Sequence, residues 1–218
     1  MRLAIFDIDG TLVEGSTERR FWRYLFARGY QGPRQLLAYC WFLLRFLPHY
    51  GRETTKKNKA YLTGLSTARI EALAAEFVAV EIVPQLYAPA LARLQQHLRR
   101  GDTVVLISGT LEPIARALGG ALGVANVFAT VCRRRDGRYL ADPPEVHPFG
   151  AVKLALATEF AVRIGADLRE ASAYGDSEPD LILLEAVGKP VAVRPDAPLL
   201  ATARGNRWDI IATRALPQ

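Results

Sequence analysis

Short runs of apolar residues recur along this chain at residues 2–7, 103–108, 172–175 and 190–194, with a weaker fifth at 208–211. The early runs are continuous rather than alternating, as expected of strands covered on both faces. Between them lie helical periodicities over residues 89–100, 111–122, 151–164 and 179–186. Gly101, Gly123, Gly165 and Gly188 follow them closely, where a helix C-terminus favours glycine. Such alternation predicts an α/β fold built on a doubly wound parallel sheet.

One region breaks the pattern. Residues 14–86 contain no convincing strand but several helical segments, at 17–28, 34–47, 53–62 and 67–82, the last with Ser66 as its cap. The division expected is a core of residues 1–13 and 87–218 with an inserted helical cap over 14–86. A smaller exception is VFATVCRRRDGRYLAD, two strand-like runs joined at Asp136-Gly137, a dipeptide suited to a tight hairpin.

The 218 residues suffice for one large domain or a domain with an insertion. With 28 basic and 22 acidic side chains the net charge is +6, which suits an anionic partner without choosing among phosphate, nucleic acid and an acidic membrane. Cys40 and Cys132 form neither a metal spacing nor a disulfide framework, and the N-terminus has no secretory pattern. A cytoplasmic location is expected, with the inner membrane face as a peripheral alternative. Apart from its arginines CRRRDGR lacks any nucleic-acid signature, so nucleic acid is not expected as a partner. His49, His97 and His147 share no spacing and read as structural or exposed.

In open α/β sheets ligands bind beyond the carboxyl ends of the strands. The first run ends in DIDGT, carrying Asp7 and Asp9; the second in ISGT, carrying Ser108 and Gly109; the third in GDSEPD, carrying Asp176 and Asp180. Lys153 lies in the first turn of the helix over 151–164. Each feature alone fits a turn, a cap or a solvated helix lysine. Together they collect oxygen ligands for Mg²⁺ and donors for a phosphate at one end of a sheet. One acid of the Asp7/Asp9 pair is then free to attack, and the other to carry a proton.

These residues resemble the four motifs of the haloacid dehalogenase superfamily, with DIDGT as the first, ISGT the second, Lys153 the third and GDSEPD the fourth. The inserted helices directly after the first motif are similar to the cap of its phosphoserine-phosphatase-like branch. The resemblance implies a Mg²⁺-dependent phosphatase acting on a phosphate monoester through an aspartyl-phosphate. Asp7 would be the nucleophile and Asp9 the general acid and base. Thr11, Ser108, Gly109 and Lys153 would bind the phosphate, Asp7, Asp9 and Asp176 would ligate the metal, and Asp180 would orient the groups around it. The branch's substrate-binding glutamate, nine residues after the nucleophile, is Ser16 here, with Glu14 and Glu18 out of register. The second acid of the first motif argues against a dehalogenase, while a phosphotransferase differs only in its acceptor. A receiver-like phospho-aspartate domain is the rival from another class, but it lacks a helical cap and keeps its acids apart from its phosphoacceptor.

QLLAYCWFLLRFLPHY, within the expected cap, is apolar nearly all round. Ordinary cap packing or a homodimer interface accounts for it. So does contact with an acyl chain or bilayer, assisted by Arg34, Arg45, Arg52, Lys56, Lys57 and Lys59, which makes a lipid phosphate the alternative to a small organic metabolite.

Overall fold

The computed structural model describes residues 2–212, without the side chain of Arg52. The chain opens with β1 (Leu3–Phe6), followed by α1 (Thr17–Ala27), α2 (Pro33–Tyr50), the single turn α3 (Thr54–Lys57), α4 (Thr67–Phe77) and α5 (Ala88–Arg99). Next come β2 (Thr103–Leu111), α6 (Glu112–Leu122), β3 (Asn126–Thr130), β4 (Arg134–Arg135), β5 (Arg138–Tyr139) and α7 (Ala151–Ile164). The last elements are β6 (Ser172–Gly175), α8 (Leu181–Ala186), β7 (Lys189–Val193), α9 (Ala197–Gly205) and β8 (Asp209–Ile211).

Six strands form one parallel sheet in the order β3-β2-β1-β6-β7-β8. Strand β1 explains why the runs are continuous. Ala4 and Phe6 enter one apolar cluster, Leu3 and Ile5 the other on the opposite face, so every position is buried. From β1 the chain builds outward through β2 and β3, then returns to β6 on the other side. The change of direction falls between β1 and β6, where open α/β sheets form their binding crevice.

Three elements differ from the sequence expectation. The first run of the expected hairpin is instead β3, a sixth strand on the sheet edge; only β4 and β5 form the hairpin. Asp136 and Gly137 turn it with φ of 49° and 70°, the conformation that made the dipeptide legible. Strand β2 continues past Ser108 to Leu111, with a register shift between Ile107 and Leu111, so α6 begins one residue later than expected. The helix expected over 53–62 is broken, because Asn58 is extended at ψ 101° and uses its side chain on Ala60 N–H and the Tyr39 carbonyl.

The helices between β1 and β2 are not uniform. Phe21, Tyr24 and Leu25 of α1 and Ile70, Leu73 and Phe77 of α4 belong to the same apolar cluster as Phe6 and Leu106 of the sheet. Helix α2 packs instead on the 51–62 segment and buries only Phe42 completely. Cys40 is exposed and Cys132 buried, both as free thiols.

Candidate active site

Asp7 leaves β1 with its backbone N–H still donating to the Tyr174 carbonyl at 3.0 Å, so the sheet ladder fixes its position. A tight loop follows, closed by Gly10 N–H on the Val13 carbonyl at 2.7 Å. Gly10 has φ +80°, and a Cβ there would lie 1.9 Å from Asp176 Oδ2. Only glycine therefore lets the first and fourth motifs approach this closely.

The loop turns Asp9 toward the start of α1, where its carboxylate accepts Thr17 N–H at 2.9 Å. A helix N-terminus favours the charged form. Thr17 in turn shares a hydrogen bond of 3.1 Å with Thr110, tying the entry of the helical segment to the end of β2. Burial nevertheless raises the Asp9 carboxyl above its ordinary range, with the Thr17 hydrogen bonds opposing the shift.

Lys153 supplies the cation. Its ammonium donates to Asp180 at 2.5 Å and lies 3.0 Å from Asp7 Oδ1. Burial alone would lower it, but the Asp7 and Asp180 carboxylates outweigh that and raise it, so it stays charged. Asp7 is pushed up to about 6, by burial foremost, against Lys153 and with Asp180 and Asp9 adding to the rise. Asp176 is pushed up to about 8 by burial, then by the charges of Asp7 and Asp180.

Asp7 and Asp180 thus share one ammonium with the Asp176 carboxyl close by, and a second cation fits the imbalance. Oxygens of Asp7, Asp176 and Asp180 lie within 4.8 Å of one another. Asp7 Oδ1 is buried without an aligned hydrogen bond, its contact with Lys153 being an ion pair only. An all-oxygen donor set of this kind suits Mg²⁺. Asp180 is largely committed elsewhere: its Oδ2 accepts the N–H groups of Asp176 and Ser177 at 3.2 and 3.3 Å. It orients the β6–α8 turn and Lys153.

A cavity of about 1060 Å³ opens above this cluster. Asp7, Asp9, Ser108, Gly109, Lys153 and Asp176 line its floor. Thr11, expected at the phosphate, is fully buried and donates to Asp176 at 3.4 Å instead of facing the cavity. Asp180 also stands behind the lining. Six of the eight expected residues therefore meet at one surface, and the other two hold them from behind.

Other wall residues carry no sign of their partners in the sequence. Glu18 accepts from Lys59 at 2.5 Å and from the Tyr61 hydroxyl at 2.9 Å, so Lys59 is buried in a wall of the cavity and is not a surface cation. Its partners lie more than forty residues away, beyond any local spacing. His147 also lines the cavity, with Nδ1 at 2.9 Å from Thr130, whose hydroxyl donates to the Gly109 carbonyl at 2.6 Å.

Comparison with known proteins agrees with this geometry. The family model for haloacid dehalogenase-like hydrolases matches residues 4–185. A Mycobacterium tuberculosis phosphoserine phosphatase is 32% identical over 214 residues, which cover 95% of this chain and 69% of that protein. A histidinol-phosphatase of Neisseria meningitidis is 28% identical over 216 residues, 96% of this chain and 97% of that one. A Bordetella pertussis protein of unknown function has a solved structure that superposes with a TM-score of 0.80 at 27% identity, covering 97% and 98% of the two chains.

Proposed function

The chain belongs to the haloacid dehalogenase-like hydrolases, and we propose that within this family it is a Mg²⁺-dependent phosphatase acting on a phosphate monoester of an organic metabolite. The observation that carries the proposal is the division of labour between Asp7 and Asp9. Asp7 faces the cavity beside a fixed ammonium, whereas Asp9 is held by Thr17 and has its carboxyl raised toward the proton-bearing form.

Asp7 attacks phosphorus as an oxygen nucleophile, and the ester oxygen leaves with a proton from Asp9. The second half returns the proton. Asp9 takes one from water, the hydroxide oxygen bonds to phosphorus, and the bond to Asp7 breaks to release inorganic phosphate. Ser108, the Gly109 amide and Lys153 meet the negative charge on the transferring oxygens, where preorganised donors contribute most. Asp7 and Asp176 would hold the cation, together with the Asp9 backbone carbonyl, which the family resemblance assigns to it. When bound, Mg²⁺ supplies charge neutralisation at the phosphoryl oxygens. The names of the relatives, a phosphoserine phosphatase and a histidinol-phosphatase, support the reaction class. The helices over 14–86 act in this reading as the cap that walls the leaving group.

The test is turnover of an aryl phosphate with Mg²⁺ or EDTA, followed by two variants. Asp7→Asn should abolish phosphate release while preserving the melting temperature. Asp9→Asn should reduce kcat by about 10²–10⁴-fold on an alkyl phosphate, and less on an aryl phosphate whose leaving oxygen needs no proton. Near-normal turnover by Asp7→Asn refutes the nucleophile.

A further inference from the structure

Twelve large apolar side chains are well exposed among the described residues, and seven of them fall between Trp22 and Leu47. They are Trp22 and Phe26 on α1 and Leu36, Leu37, Trp41, Leu44 and Leu47 on α2, at 44–74% exposure. The remainder are scattered, as exposed apolar residues ordinarily are. At 100° per residue the five α2 residues share one arc, with the exposed Cys40 and Pro48 between them. Helix α2 therefore turns its more apolar side outward.

The apolar face is continuous with the cavity mouth. Trp22, Phe26, Leu36 and Tyr39 line the upper walls of the same cavity whose floor holds Asp7 and Lys153. Its margin is basic. Arg19 and Arg23 are exposed beside Trp22 and Phe26, Arg45 borders the α2 arc, and the Lys56 ammonium stands 3.9 Å over the Phe149 ring at the cavity wall. Helix α2 has no acidic residue, and the one acid of α1, Glu18, is engaged by Lys59.

We propose that this face of α1 and α2 docks on an anionic bilayer, and that the cavity takes its phosphate monoester from that surface: an amphiphile with its phosphate on the catalytic floor and its apolar portion against Trp22, Phe26 and Leu36. The second half rests on the phosphatase reading; the docking does not. Charge decides the occupant. A second copy of this chain would press arginines against arginines, because the face contains no free carboxylate to receive them. A bilayer with anionic head groups complements both the apolar arc and its basic margin. No helix among the described residues is long and apolar enough to cross a membrane, and α2 carries Arg34 and Arg45, so it lies on the surface.

The experiment is vesicle co-sedimentation of the full chain and of Leu37→Glu/Leu44→Glu, using phosphatidylcholine alone or mixed with phosphatidylglycerol. Both leucines are more than two-thirds exposed and outside the cavity, so the variant should fold and turn over a soluble aryl phosphate normally. Docking predicts binding to mixed vesicles only, at least tenfold weaker in the variant and weakened by salt. The delivery half predicts at least tenfold higher kcat/KM for phosphatidic acid in mixed vesicles than for glycerol phosphate, lost in the variant. Absence of vesicle binding overturns the docking, as does a homodimer in sedimentation velocity that the same variant dissociates. Equal kcat/KM for the two substrates overturns the delivery alone. Binding is read without turnover, so a failure of the phosphatase reading leaves the docking result standing.

Discussion

Lys153 joins Asp180 at 2.5 Å and Asp7 at 3.0 Å, so a single buried ammonium links the first and fourth motifs. Its charge is the main influence opposing the rise of the Asp7 carboxyl. In Lys153→Met that carboxyl should titrate above about 6, leaving less nucleophile at neutral pH. The acidic limb of kcat/KM should move to higher pH, together with a higher KM. A pH profile at subsaturating Mg²⁺, where the ionisations of the cation-free protein are read, checks this; an unmoved limb would detach Lys153 from the Asp7 ionisation.

The acid cluster makes the cation-free protein sensitive to alkali. Asp176 is raised from 3.8 to about 8, so in the folded chain it keeps a proton that the unfolded chain has already lost. A carboxyl with a folded pKa above its unfolded value adds no penalty below both values, and progressively costs stability between them. In EDTA the melting temperature should fall as pH rises from 4 to 8. Added Mg²⁺ should raise it more at the alkaline end, where protons compete less for the ligands. Asp176→Asn should flatten both dependences. Calorimetric melts across that range measure them.

Glu18 and Lys59 form an ion pair with side-chain exposures of 17% and 5%. Removing one partner strands the other charge in a mostly buried wall. Lys59→Met should cost about 3 kcal/mol, or roughly 6–12 °C in Tm for a domain of this size. Glu18→Gln in the same chain should restore most of that loss, since no uncompensated charge then remains. Thermal melts of the single and double variants test the cycle.

His147 acts through its neighbours. Thr130 spends its only proton on the Gly109 carbonyl, so its oxygen must accept from His147 Nδ1–H. Burial, together with Lys59, Lys57, Lys56 and Lys153, lowers the ring to about 4 and keeps it neutral. His147→Phe should retain the stack on Phe149 but lose this hydrogen bond. The Gly109–Thr110 peptide, whose carbonyl Thr130 supports, is then held less firmly, and kcat should fall by about fivefold, the equivalent of one hydrogen bond. The wild-type profile should show no inflection from this histidine near 6.5.

The residues of the cavity floor were legible because they sit where strand ends and helix starts announce themselves. Asp7, Ser108 and Asp176 each follow an apolar run, and Lys153 sits one turn into a helix whose C-terminal glycine marks it. Strand β3 was legible as a strand but was assigned to the hairpin, because its short run has polar ends and lies beside the hairpin signal. The side walls were hidden for a different reason. Glu18, Lys59 and Tyr61 become partners only when distant segments meet, and no local period records that encounter. Lys59 read as one more surface lysine for lack of any sign of its partner.

The single apolar cluster that runs from Phe6 through Phe21 to Phe77 leaves α2 outside it. Changes in α1 or α4 must therefore be negotiated with the sheet itself, and most would be felt as folding defects. Helix α2, with Phe42 as its lone fully buried anchor, is free of that veto. A lineage carrying this scaffold can rewrite α2 while the sheet and the cavity floor drift hardly at all, so the outer wall of the cavity can diverge faster than its base.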